Sequence, residues 1–211
     1  MSARILYQKI RMNKGFTLVE LLVSIGIFVI MTALLVARYG SFNDSTLLNN
    51  LAYDVALTIR TAQTYGMSVK RADATITGYK NAYGVDFDLS NNSQFILFSD
   101  FDNGNGNDSV YKNNDTIINK YQIKAGSKIT GICITNNDTC TDFSNNNGSN
   151  KNQLDITFKR PDPNAVICST NTGSICQDND KYSLAKIRLT SASGLNRIIT
   201  VRSTGQISIE D

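Results

Sequence analysis

The sequence predicts an α+β chain: a long N-terminal α-helix, transmembrane in its first half, whose second half packs on an antiparallel β-sheet or a two-sheet β domain. Three observations predict it. Phe16 to Val36 is an apolar run of 21 residues with a single acid, Glu20. Leu48 to Val69 keeps one apolar stripe at helical period. From Tyr83 onward, short β-rich runs alternate at period two between clusters of Asn, Asp, Ser and Gly. The chain therefore divides into a basic leader over 1–15, the membrane half of the helix over 16–37, its amphipathic continuation over 38–70, and a β-rich extracytoplasmic head over 71–211.

The leader holds Arg4, Lys9, Arg11 and Lys14 and no acid. Basic residues beside a span stay in the cytoplasm, which places the rest of a single-pass chain outside the cytoplasmic (inner) membrane. The apolar run, at about 1.5 Å per residue, spans about 30 Å, one hydrocarbon thickness. A cleaved secretory signal does not fit, because the run is too long and no small-x-small site follows it. Glu20 stands out within it. An ionised carboxylate at the centre of a bilayer helix costs roughly 2.5–3.5 kcal/mol, so an acid kept there has a role.

Past the membrane, Leu48, Leu51, Ala52, Val55, Ile59, Ala62, Gly66 and Val69 recur at three- and four-residue steps, with Asp54, Arg60, Gln63 and Lys70 mostly off the stripe. No proline precedes Pro161, so nothing forces a break before about Lys70; Gly40 and Ser41–Asp44 are the place for a bend. Strands are expected over 83–87, 94–98, 128–134, 154–158, 185–189, 197–201 and 206–209. The last two form a hairpin around Ser203-Thr204-Gly205. The segments 136–153 and 161–181 read as loops.

The chain has 21 basic and 18 acidic residues, a net charge of +3; without the four basic residues of 1–15 the balance is 17 to 18, a net of −1. The positive charge thus belongs to the leader and says little about nucleic-acid binding by the remainder. There is no histidine, so the commonest general base is missing. Asp86 and Asp88, two apart on a strand, read as a solvent face and not as an acid–base pair. No enzymatic activity is expected.

Four cysteines lie beyond the membrane run. Cys133 and Cys140 bracket one polar loop and Cys168 and Cys176 another. In an oxidising compartment an even count favours disulfides; three connectivities exist, of which the two local pairs come first. Zinc is the rival, but it usually takes cysteines two to four residues apart. Six residues separate the first pair and seven the second. The Asp/Asn/Gly-rich stretch 99–108 offers Asp100, Asp102 and Asp108 as oxygen ligands for calcium (Ca2+), against a plain solvated hairpin loop.

Lys14-Gly15-Phe16-Thr17-Leu18-Val19-Glu20 and the apolar residues after it resemble the N-terminus of type IV prepilins and type II secretion pseudopilins. The resemblance implies cleavage between Gly15 and Phe16 by a membrane prepilin peptidase and N-methylation of the Phe16 amine by the same class of enzyme. It also implies assembly with other pilins on an inner-membrane platform. Glu20, four residues from the new amine, can meet it on one helix face or neutralise that of a neighbouring subunit.

Leu51-Ala52-Tyr53-Asp54-Val55-Ala56-Leu57 with Arg60-Thr61-Ala62-Gln63, and Arg197–Val201 with Thr204–Ile207, are similar to GspH/FimT-type minor pseudopilins. That branch implies a helix on two antiparallel sheets and a place near the filament tip. A second function, capture of DNA during uptake, would need clustered cations. Lys181, Lys186, Arg188, Arg197 and Arg202 are the candidates, with Lys186 and Arg188 on one strand face.

Overall fold

The computed structural model describes residues 15–68, 82–100, 108–137, 140, 143, 152–170 and 175–210. The chain divides into two compact units, Met1–Gly40 and Ser41–Asp211. One helix, α1, runs Leu18–Met67, through Gly40 where the sequence allows a bend.

In the first unit the helix begins directly after Thr17, and the side chains of 18–36 are exposed throughout. Leu18–Val36 is long and apolar enough to cross a membrane. The polar side chains inside this run look after themselves. Ser24 and Thr32 hydroxyls each donate to the carbonyl four residues back, Glu20 and Phe28, at 2.7 Å. A hydroxyl spent this way adds no unsatisfied group to a lipid-facing surface.

In the second unit the continuation of α1 buries Leu48, Ala52, Val55, Ile59 and Ala62, the stripe read from the sequence. Val69 and Lys70 lie outside the described residues. Each fully buried Leu, Val or Ile contributes about 1.5–3 kcal/mol. Two details go beyond the stripe. Gly66 lets the helix touch the sheet: a Cβ there would sit 2.5 Å from the Phe158 carbonyl oxygen. Gln63, expected on the polar face, is buried instead, and its Nε2 donates to the carbonyls of Pro163 and Gly205 at 3.0 and 3.4 Å. Those two carbonyls belong to loops with no ladder partner for them, so the amide serves as their donor.

Among the described residues ten strands follow: β1 Ala82–Asp88, β2 Gln94–Asp100, β3 Thr116–Gln122, β4 Lys128–Thr135, β5 Gln153–Phe158, β6 Ala165–Thr170, β7 Lys181–Tyr182, β8 Leu184–Thr190, β9 Asn196–Arg202 and β10 Ile207–Glu210. They form two antiparallel sheets, ordered β3-β2-β1-β5-β6-β7 and β10-β9-β8-β4. β9 and β10 make the expected hairpin, turning at Gly205 with φ +83°. Inner-face residues of both sheets (Val85, Phe87, Leu154, Ile156, Ile187, Ile199) share one core with the helix stripe. The arrangement is α+β and pilin-like. Three strands correct the sequence reading. β3 was not expected, and β6 with β7 falls where a loop was expected over 161–181.

Candidate functional site

The N-terminal segment is built around the start of α1. Gly15 and Phe16 are non-helical, and nothing in the described structure lies within 4 Å of where a Gly15 Cβ would stand. Backbone that is both non-helical and uncovered is what a protease needs to reach. Phe16 is exposed. Thr17 caps the helix: its Oγ1 accepts from the Glu20 N–H at 3.2 Å. The Glu20 Oε2 returns to the Thr17 hydroxyl at 3.3 Å and to its N–H at 3.5 Å. This is a reciprocal capping box, and it places an acid at the positive end of the helix dipole. Sequence reasoning paired Glu20 with the Phe16 amine and missed Thr17, although the Thr-x-x-Glu spacing was legible. In the uncut chain, where Phe16 carries a peptide bond, Glu20 has a local partner.

Residues 10–36 match the family model of the prokaryotic N-terminal methylation motif. The motif indicates a type IV pilin- or pseudopilin-like chain and implies processing by a prepilin peptidase; the helix behind it is long and apolar enough to cross a membrane. No curated protein and no solved structure matches the chain.

The candidate DNA-binding cations are not one cluster. Lys186 and Arg188 share the outer face of β8, and the register sets Arg202 of β9 on that same face, opposite Leu184. Arg197 lies opposite Leu189 and so faces the helix, where its Nε donates to Asn49 Oδ1 at 2.7 Å. Lys186 is bound to Glu210 at 2.8 Å, and Arg188 lies 3.9 Å from the centroid of the Phe143 ring. The Lys186 contact holds the Glu210 carboxyl below its usual range. Lys181 pairs with Asp178.

All four cysteines are paired, Cys133 with Cys140 and Cys168 with Cys176. They do more than close loops, because Cys133 lies in β4 and Cys168 in β6. Each bridge fixes a polar segment to a strand. Cys133, Cys140 and Leu184 form a small apolar cluster of their own with Phe143.

Two of the three calcium candidates meet protein donors. Asp100 is buried and its Oδ2 accepts from the Ser109 N–H at 2.9 Å. Asp108 accepts from Val110 N–H and forms an ion pair with Lys112. Asp102 lies outside the described residues. Among the described residues no three His, Cys, Asp or Glu side chains are grouped to hold a metal ion.

A feature that the sequence did not reveal lies on the outer face of the six-stranded sheet. Asp86 of β1 and Asp155 of β5 stand directly opposite each other, both buried. The reading of Asp86 as solvent-facing is therefore corrected; only Asp88 reaches the surface in part. The segment after Asp108 covers the pair: Tyr111 N–H donates to Asp155 Oδ1 at 3.0 Å, and Gln153 Nε2 donates to the Tyr111 carbonyl at 3.1 Å. Burial pushes the Asp86 carboxyl up to about 7, with the Asp88 charge adding to the rise and hydrogen bonds from Gln153 and Asp155 opposing it. Burial and the Asp86 charge push Asp155 well above the ordinary carboxylate range. Two carboxyls facing each other in a dry site cannot both ionise without a compensating positive charge.

Proposed function

We propose that this chain is a minor subunit of a type II secretion pseudopilus or type IV pilus, of the GspH/FimT type, acting near the filament tip. It is made with a cytoplasmic leader over 1–15, spans the inner membrane with 16–37, continues as helix over 38–70, and carries its head, 71–211, outside. A prepilin peptidase cuts between Gly15 and Phe16 and methylates the Phe16 amine. Glu20 then gives up Thr17 N–H as its partner and takes the new cation, its own or a neighbour's. Other pilins meet it through the apolar helix, first in the membrane lipid and then in the filament on its assembly platform.

The observation that carries this reading is the methylation motif standing ahead of an exposed apolar helix whose one acid lies four residues from the cleavage point. The two-sheet head, with the helix stripe as part of its core, supports the GspH/FimT assignment. Tyr53 and Leu57, exposed on the helix beside Ile207 and Ile209, give the head an apolar groove suited to a neighbouring subunit.

The test is the intact mass and N-terminal sequence of the chain from cells that contain a prepilin peptidase, beside a Gly15→Ala control. A chain that starts at methylated Phe16, and an uncut control, support the subunit reading. A wild-type chain still starting at Met1 leaves only a membrane anchor.

A further inference from the structure

Four buried side-chain oxygens on the outer face of the six-stranded sheet have no hydrogen-bond partner: Asp86 Oδ1, Gln153 Oε1, Asp155 Oδ2 and Thr170 Oγ1. They are not scattered. Asp86 is opposite Asp155, and Gln153 is opposite Thr170, across three adjacent strands, β1, β5 and β6. Alternation places all four on the same face. A native domain leaves few buried polar atoms orphaned, and each such atom points to something that binds it. Two are carboxylate oxygens and one an amide oxygen, and with both acids ionised these three acceptors cannot satisfy one another. The amide and the hydroxyl are the independent sign: Gln153 is buried, its nitrogen donates to the Tyr111 carbonyl, and its oxygen has no partner.

Among the described residues no cation is bonded to the acid pair. Lys112, on the covering segment, is held by Asp108. Lys120, on β3, lines the neighbouring cavity and is exposed. That cavity, about 480 Å³, borders Asp86, Asp88, Gln153 and Tyr111, so an ion and its waters have room and a way in. The opposite side is closed by Cys168, which stands opposite Asp155 and is bridged to Cys176.

We propose that Asp86, Asp155 and Gln153 form a binding site for a hard divalent cation, with calcium the fitting ion and Thr170 at its margin. Calcium takes six to eight oxygens, mixes carboxylate, amide and water ligands, and tolerates irregular geometry. An all-oxygen set with no sulfur or nitrogen donor suits calcium or magnesium over transition metals. The bound ion lets both carboxyls ionise while buried and fixes β1, β5 and the 108–112 segment around one point. This site is separate from Asp100 and Asp108, whose described contacts are with protein donors.

The experiment uses the full chain in detergent micelles, freed of metal with a chelator and then titrated with calcium chloride at neutral pH. Calcium should raise the thermal midpoint by several degrees at about 1 mM, the range of extracellular calcium modules, and calorimetry should show one ion bound. Asp86→Asn and Asp155→Asn should each abolish the shift; Asp100→Asn should keep it. Gln153→Glu adds a third carboxylate, and should lower the midpoint in chelator yet bind calcium roughly tenfold more tightly. That gain is not expected of a merely structural glutamine, and it keeps the test decisive if an Asn variant fails to fold. No shift in the wild type would overturn the proposal and leave a proton-sharing acid pair. So would a shift that survives both Asn substitutions, or one lost in Asp100→Asn alone.

Discussion

The large apolar side chains of the two halves of α1 meet opposite surroundings. From Leu18 to Val36 every large apolar residue is exposed; Leu18 is 78% and Leu35 is 74% exposed. Farther along, Leu48, Val55 and Ile59 are no more than 1% exposed. What differs is the arrangement around the axis. The first half is apolar on all sides, which suits a solvent that is itself apolar. The second half confines its apolar residues to one stripe, which needs a protein surface to cover it. Composition also sets the two apart, and periodicity shows which face of the second half must be covered.

The largest expected effect comes from breaking the stripe. Ile59→Ala should destabilise the head by about 2–5 kcal/mol in chemical denaturation, the range for a buried large-to-small change. Ile27→Ala, the same chemistry in the exposed half, should leave the head's transition where it was. Gly66→Ala should cost about 1–3 kcal/mol by overpacking, because its Cβ would meet the Phe158 backbone. If Ile27→Ala and Ile59→Ala shift the transition equally, the two halves do not differ in the way described.

Acids make the same comparison in another form. Glu20 is exposed and bonded locally, whereas Asp86 is sealed in the sheet. In chelator, the folded head should hold a proton that the unfolded chain releases, since Asp86 rises from 3.8 to about 7. Its contribution to stability is complete below the lower value and is lost as pH rises toward the upper. Asp155 moves in the same direction. Stability should therefore fall between about pH 4 and 7, by up to about 1.4 kcal/mol per pH unit for each proton held. Asp86→Asn should flatten that slope in urea titrations at pH 5 and pH 7. A head that grows more stable over this window would show that neither buried acid holds its proton.

Both halves of α1 were legible because each has a clear pattern, all-round apolar or one stripe. Most strands were legible from alternation. β3 was not, because Thr116–Gln122 is an edge strand, largely exposed, with Asn119 and Lys120 breaking its apolar run. β6 was hidden for the opposite reason. Ala165–Thr170 is buried on nearly every position, so it does not alternate, and Pro161 and Pro163 ahead of it suggested a loop. The acid pair could not be read at all. Asp86 and Asp155 meet only through the β1–β5 register, and that pairing of distant strands has no local sequence signal. The capping box at Thr17 was readable, but the cleavage motif drew the interpretation of Glu20 elsewhere.

The disulfides allow a smaller, cleaner contrast. Each closes a short loop, with sequence separations of 7 and 8. Chain entropy assigns each about 2–3 kcal/mol. Replacing both cysteines of either pair by serine should lower the head's stability by that amount, read from the urea midpoint under oxidising conditions. The same variants should leave cleavage at Gly15 unchanged, since the cut lies in the other unit. A loss of processing with the head still folded would mean that the two units are coupled.

The smallest effect belongs to the first turn of α1. Thr17→Ala removes the hydroxyl that accepts from Glu20 N–H and one of the two groups that Glu20 reaches back to. Loss of an N-cap costs about 0.5–2 kcal/mol, confined to the end of the helix. Amide hydrogen exchange at residues 18–21 should speed up, while exchange at Val55 and Ile59 stays as it was. Serine at position 17 keeps the hydroxyl and should restore slow exchange. The same pair of variants asks what the box does before processing. If the cap holds Glu20 ready for the Phe16 amine, Thr17→Ala should slow assembly without blocking the cut after Gly15, and Thr17→Ser should behave like the wild type. Exchange that is unchanged in Thr17→Ala would mean that the first turn is held by its lipid or micelle surroundings, not by its own cap.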